Sequence, residues 1–168
     1  MILNQPKRPT ASADILPETL TSPPFSMKRT QPVSLLLICK YDLFFRIIES
    51  TLYETGFTLS CVCKVPAQSG FYYNRVQPDL VLIDSGWNNS HFSAQEVLAS
   101  LLGIDRDCKI IFVSTFFDRR TRENAERLGA KGYLHTDASS FQLISNCLKD
   151  VFEGSTHFMN DPGPGITG

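Results

Sequence analysis

The chain has 168 residues, enough for one domain with a substantial core. Sixteen basic and seventeen acidic side chains leave a formal charge of −1, and 42% of residues are hydrophobic, which excludes the bulk cationic attraction that drives nonspecific binding to nucleic acid or membrane surfaces. No apolar run approaches membrane-spanning length and the N-terminus lacks the apolar core of a secretory signal, so a cytoplasmic protein is expected.

Residues 1–32 carry Pro6, Pro9, Pro17, Pro23, Pro24 and Pro32 among many Ser and Thr, without a sustained apolar period. They read as a disordered extension in which either Met1 or Met27 can begin translation. A domain is expected over 33–154 and a flexible tail or truncated linker over 155–168. Deleting residues 1–30 and 156–168 should therefore leave the melting temperature nearly unchanged.

Within the domain, Val33–Cys39 is an apolar run that suits a buried strand. Asp42 stands where a helix N-cap belongs; Leu43, Phe44, Ile47, Ile48 and Leu52 follow at helical spacing, and Gly56 closes the helix. Phe57–Cys63 reads as a second strand, and Pro66 opens a helix running to about Arg75. Leu80–Asp84 is a third strand. The loop Ser85–Phe92 holds Trp87 and Phe92, which either anchor a partner or cover the sheet edge. Ser93 with Glu96 forms a capping box for a helix bearing Val97, Leu98, Leu101 and Leu102. Lys109–Val113 is a fourth strand. Asp118–Leu128 is a polar helix with Asp118/Arg122 and Glu123/Arg127 pairs, stopped by Gly129. Gly132–His135 is a short fifth strand that leaves His135 at the surface. Ser139 begins a last helix whose apolar face is Phe141, Ile144, Cys147, Leu148, Val151 and Phe152, and His157 falls in the tail.

Five alternations of strand and helix predict an α/β, flavodoxin-like, doubly wound five-stranded parallel sheet of order 2-1-3-4-5. Cys39, Cys61, Cys63, Cys108 and Cys147 are odd in number, four lie in or beside apolar runs, and the Cys61/Cys63 gap is too short for a zinc site. Free thiols in a reducing compartment are the reading.

Ligands and chemistry collect at the carboxyl ends of strands in such a sheet. Four ends offer Cys39-Lys40, Asp84, Ser114-Thr115 and His135-Thr136. This set resembles the receiver domain of bacterial two-component response regulators over roughly residues 33–154, and it looks closest to the helix-turn-helix (NarL/LuxR-type) branch. Asp-Leu-Val-Leu-Ile-Asp84 resembles the family's phospho-acceptor strand, and Lys109-Ile-Ile-Phe-Val-Ser114 the strand ending in a switch hydroxyl. Leu128-Gly-Ala-Lys-Gly-Tyr133 resembles the segment that carries the aromatic switch at Tyr133. The resemblance implies a phosphorelay signalling module, not an enzyme, that meets a histidine kinase or another regulator. It also implies self-association through helix one with five, or helix four with five.

The departures bear on the same site. Where the family ends strand one with two acids that hold Mg²⁺, this chain has Cys39 and Lys40; where it carries a lysine after strand five, this chain has Thr136. Phosphoryl transfer to a carboxylate needs a divalent ion and a cation to neutralise its charge. The expectation is therefore a degenerate receiver, a pseudo-receiver without a cofactor, whose Mg²⁺ site is lost and in which Lys40 is the counter-ion of Asp84 from a strand about 4.8 Å away. Cys39 reads equally as a small buried residue, and Ser114 and Thr136 as partners of nearby backbone. Two other functions stay open: a helix-turn-helix transcription regulator lacking its output domain, and a flavodoxin-like cofactor protein. The first strand–helix loop lacks the Ser/Thr/Gly-rich cradle that FMN needs, which ranks the cofactor protein last. DNA binding is not expected of this chain alone.

Overall fold

The computed structural model describes residues 32–53, 55–86, 93–136 and 141–160. The expected disordered extension, the loop residues Trp87 and Phe92, and Ser139 lie outside these residues, as does the side chain of Phe141.

Six parallel strands form one sheet in the order β2-β1-β3-β4-β5-β6. They are β1 (Val33–Ile38), β2 (Phe57–Cys63), β3 (Leu80–Asp84), β4 (Ile110–Ser114), β5 (Gly132–His135) and β6 (His157–Phe158). The helices are α1 (Asp42–Leu52), α2 (Ser69–Val76), α3 (Ala94–Ile104), α4 (Arg119–Leu128) and α5 (Phe141–Phe152). The first five strands stand in the expected order, and a sixth extends the sheet.

The apolar runs take the central places because both of their faces are covered. Leu36, Ile38, Val81, Ile83, Ile110, Phe112 and Tyr133 pack in one core with Leu98 and Leu101 of α3 and Ala125 of α4. Leu35, Leu37, Leu82, Ile111, Val113 and Leu134 pack on the other face with Phe44 and Ile48 of α1 and Ile144 and Leu148 of α5. Tyr73 ties α2 to the end of α3 by donating its hydroxyl to Asp105 Oδ2 at 2.6 Å. All five cysteines are free; four are buried and Cys61 is half-buried.

The local signals are realised unevenly. Ser93 and Glu96 make the reciprocal capping box that opens α3. Gly129 ends α4 at φ +103°, a left-handed conformation that suits glycine. Asp42, expected as an N-cap, is instead the first residue of α1 after Tyr41, and its carboxylate meets Lys64 Nζ at 2.8 Å. A cation reaching from the end of β2 competes for the carboxylate that would otherwise turn onto the helix amides. Helix α1 ends at Leu52, ahead of Gly56, which turns the chain into β2 at φ +80°. Pro66 begins a single 3₁₀ turn, Pro66–Gln68, before α2 starts. On α4, Asp118 caps the amides of Arg120 and Thr121, so Arg122 pairs with Glu126 at 3.3 Å instead of with Asp118. Arg127 turns to Asn124, not to Glu123.

The largest correction concerns residues 155–160, expected in a flexible tail. They run back beside β5 as β6: His157 N–H donates to Lys131 O at 2.9 Å and Met159 N–H to Tyr133 O at 3.0 Å. His157 Nδ1 lies 2.7 Å from Asp150 Oδ2, and Arg122 stacks over the Phe158 ring while its Nε donates to Met159 O. Gly132 makes room, since a Cβ there would stand 3.0 Å from His157 O.

Candidate functional site

Asp84 ends β3 at the carboxyl edge of the sheet, beside β1 and β4. Only 4% of its surface is exposed. Burial raises its carboxyl pKa, opposed by a hydrogen bond from the Gly86 amide to Oδ1 at 2.9 Å. The bond spans two residues, an Asx turn that follows directly from the Asp-Ser-Gly sequence. A Cβ on Gly86 would press on Oδ1 at 3.1 Å, so glycine keeps that turn tight.

Above the carboxylate is a pocket of about 200 Å³. Tyr41, Leu43, Phe44 and Ile47 at the start of α1 form its walls, and Gly86 and Thr115 close the sheet side. Phe44 is buried, whereas Tyr41 and Leu43 are 56% and 74% exposed and make the rim. A larger cleft of about 370 Å³ lies between the end of α1 and β2, lined by Glu49, Tyr53 and Leu59 among others. It is far more open and contains no buried ionisable group, so the chemistry concentrates at Asp84 despite its smaller volume.

Cys39 follows β1 and is fully buried. Its thiol donates to Tyr41 O at 3.8 Å, and Lys64 Nζ stands 3.8 Å from its sulfur. Burial pushes the thiol pKa up, with Lys64 opposing and the nearby Asp84 charge adding to the rise, so this is not an activated thiolate.

The expected ion pair between Lys40 and Asp84 is not formed. Lys40 lies in an exposed bend beyond β1, with its ammonium over the Tyr41 ring at 5.4 Å from the centroid. Strand spacing allowed the reach but not the direction. The ammonium lies instead on the aromatic face of the next residue, Tyr41, at the surface. The cation that does enter this region is Lys64, which is held by Asp42.

The hydroxyl residues divide differently from the expectation. Thr115, not Ser114, lines the Asp84 pocket. Ser114 contributes its carbonyl, which accepts from Thr136 N at 2.9 Å and Thr136 Oγ1 at 3.4 Å. Tyr133 is fully buried; its hydroxyl accepts from Asp118 N at 3.0 Å and donates to Phe116 O at 3.3 Å, and its ring meets Phe117 edge-on at 6.1 Å. His135, expected at the surface, is 1% exposed and packs edge-on against Phe117 at 5.7 Å. The loop after β4 folds Phe117 over the end of β5, a nonlocal cover that local pattern does not reveal.

Among the described residues no group of three His, Cys, Asp or Glu side chains could hold a metal ion. Around Asp84, the neighbouring acid Asp42 is engaged by Lys64 and 91% of its side chain is exposed.

No protein-family model and no curated protein matches the chain. Solved structures do. The isolated receiver domain of RcsB from Salmonella enterica serovar Typhimurium, recorded with the phosphomimetic BeF3−, superposes with a TM-score of 0.67 at 7% identity, over 77% of this chain and 95% of that one. The fold is that of a response-regulator receiver domain. The signal receiver domain of the putative response regulator NarL from Mycobacterium tuberculosis follows at TM-score 0.63 and 17% identity, covering 74% and 98% of the two chains. A LuxR-family two-component response regulator from Aurantimonas sp. gives 0.65 at 15% identity over 76% and 89%. At these identities the likeness is one of fold alone. No helix among the described residues is long and apolar enough to cross a membrane.

Proposed function

We propose that the chain is a receiver-type signalling module of a phosphorelay system that acts through protein contact and not through magnesium-dependent phosphorylation of Asp84. The observation that carries this reading is the make-up of the Asp84 pocket. Among the described residues Asp84 is the one carboxylate lining it, and the other walls are mostly apolar side chains of α1. A magnesium ion takes oxygen ligands in near-octahedral geometry and keeps most of its water. Cys39 offers a buried thiol instead, and Lys40 adds a positive charge on the same edge that repels a dication. A phosphoryl group at Asp84 would also lack a lysine after β5, where Thr136 binds backbone. Neither Asp84 nor any other residue is assigned a catalytic role.

The partner is another protein of the relay, a histidine kinase or a regulator, with self-association through helical faces as a further mode. Incubation with a small phosphodonor and Mg²⁺ followed by intact-mass measurement tests the proposal. The mass should stay unchanged. A magnesium-dependent gain of one phosphoryl group that disappears in Asp84→Asn would overturn it.

A further inference from the structure

We infer that the Asp84 pocket receives a basic side chain, lysine or arginine, from a protein partner. This rests on the reading of the chain as a protein-contact module and names the chemistry of that contact.

Three observations converge on it. The first is charge. Asp84 is buried, and its Oδ1 accepts a hydrogen bond from the Gly86 amide. No cation pairs with it among the described residues: Lys40 lies on Tyr41, and Lys64 is held by Asp42. A buried carboxylate is costly until a cation or further donors meet it.

The second is size. A volume of about 200 Å³ is below the usual range of about 300–1,000 Å³ for drug-sized ligands, so the pocket suits a single side chain better than a whole small molecule. That is the scale of one long basic side chain.

The third is the order of chemistry along the pocket. The floor is the carboxylate, the walls are Phe44 and Ile47, and the rim is the exposed Tyr41 and Leu43. A lysine or arginine has the matching order, an apolar stem behind a cationic head. The exposed rim gives the partner's surface an apolar seat around the entry point, and aromatic Tyr41 also suits the face of a guanidinium.

Lys40 is the competing occupant, since a swing off Tyr41 would bring its ammonium toward Asp84. Its removal therefore discriminates between an internal plug and an open site.

The test uses the full chain, isotope-labelled, titrated with acetyl-Leu-Lys-Leu-amide and its arginine analogue, followed by the amide resonances of Tyr41, Leu43 and Gly86. A norleucine peptide removes the charge, and butylammonium removes the peptide. At least one basic peptide should give saturable shifts at these amides, the norleucine peptide should bind roughly tenfold or more weakly, and Asp84→Asn should abolish the difference. Lys40→Ala should leave binding equal or stronger. Equal binding of the norleucine peptide, persistence of the charge preference in Asp84→Asn, loss of binding in Lys40→Ala, or no saturable shift with either basic peptide would each overturn the inference. Butylammonium binding as tightly as the peptides would also overturn it, in favour of a free amine. The phosphodonor experiment is read separately: uptake of phosphate at Asp84 refutes the function proposed above, whereas absence of both phosphate and peptide binding refutes only this inference.

Discussion

Tyr133 and Asp84 are both buried toward the carboxyl edge of this sheet, and they are treated in opposite ways. Tyr133 on β5 is fully buried and its hydroxyl is held on both sides, by Asp118 N and Phe116 O, while Phe117 covers its ring. Asp84 on β3 is nearly as deeply buried, yet its one hydrogen bond among the described residues comes from the Gly86 amide two residues away, and a pocket opens above it. Equal burial with unequal satisfaction separates structure from function. A buried polar group that is fully paired rigidifies its surroundings, whereas one that is only partly paired retains the capacity to bind. The β4–β5 end is thus locked, and the β1–β3 end is the receptive one.

The largest effect should come from unlocking the first region. Tyr133→Ala removes a filled core position and should destabilise the protein by about 3–5 kcal/mol in denaturant unfolding. Tyr133→Phe keeps the ring and should cost roughly 1–3 kcal/mol, the penalty of stranding the Asp118 amide. If Tyr133→Phe were neutral, the lock would be packing alone.

Next is the strand that reinforces this end. Removing residues 155–168 takes away the β6 bonds to Lys131 and Tyr133 carbonyls and the Arg122–Phe158 stack. A loss of about 1–3 kcal/mol, seen as a melting temperature lower by several degrees, is expected. An unchanged melting temperature would restore the view of this segment as a passive tail.

At the receptive end the sign reverses. Asp84 has a folded-state pKa raised above its unfolded value, so its folded form holds the proton more tightly. Its contribution to stability is fully present below the unfolded value, near pH 4, and is lost as pH rises through the folded value. Asp84→Asn should therefore raise the melting temperature at pH 7, and the gain should shrink toward zero below about pH 4. A variant less stable than the parent at pH 7 would mean that the carboxylate is already well paired. The smallest effect belongs to Lys40→Ala, which should stay within about 0.5 kcal/mol because the side chain is exposed.

The legible parts of the fold were those where local chemistry and burial agree. Leu80–Asp84 has no polar residue before its last position, which only a strand covered on both faces tolerates, and Asp84 consequently emerges at the edge. Ser93 and Glu96 satisfy each other within one turn, so the capping box needed nothing from elsewhere. Several misses depend on distant partners. Asp42 was diverted from its helix by Lys64, 22 positions away. His135 was buried by Phe117 across a loop. Two residues of β6 carry no periodicity, and their one local trace is Gly132, small where β6 comes close. For Lys40, separation between strands was readable but the competing aromatic face of Tyr41 was not. The choice of Thr115 over Ser114 at the pocket turned on where β4 ends, which apolar spacing does not resolve to one residue.

The central claim is that the receptive end is a carboxylate pocket and not a metal site. Magnesium titration of the labelled protein, followed at the Gly86 amide that bonds Asp84, addresses it most directly. The unmodified protein should show no saturable shift through the millimolar range, and a Cys39→Asp/Lys40→Asp double variant that remains folded should gain one. A saturable magnesium shift in the unmodified protein that vanishes in Asp84→Asn would contradict the account.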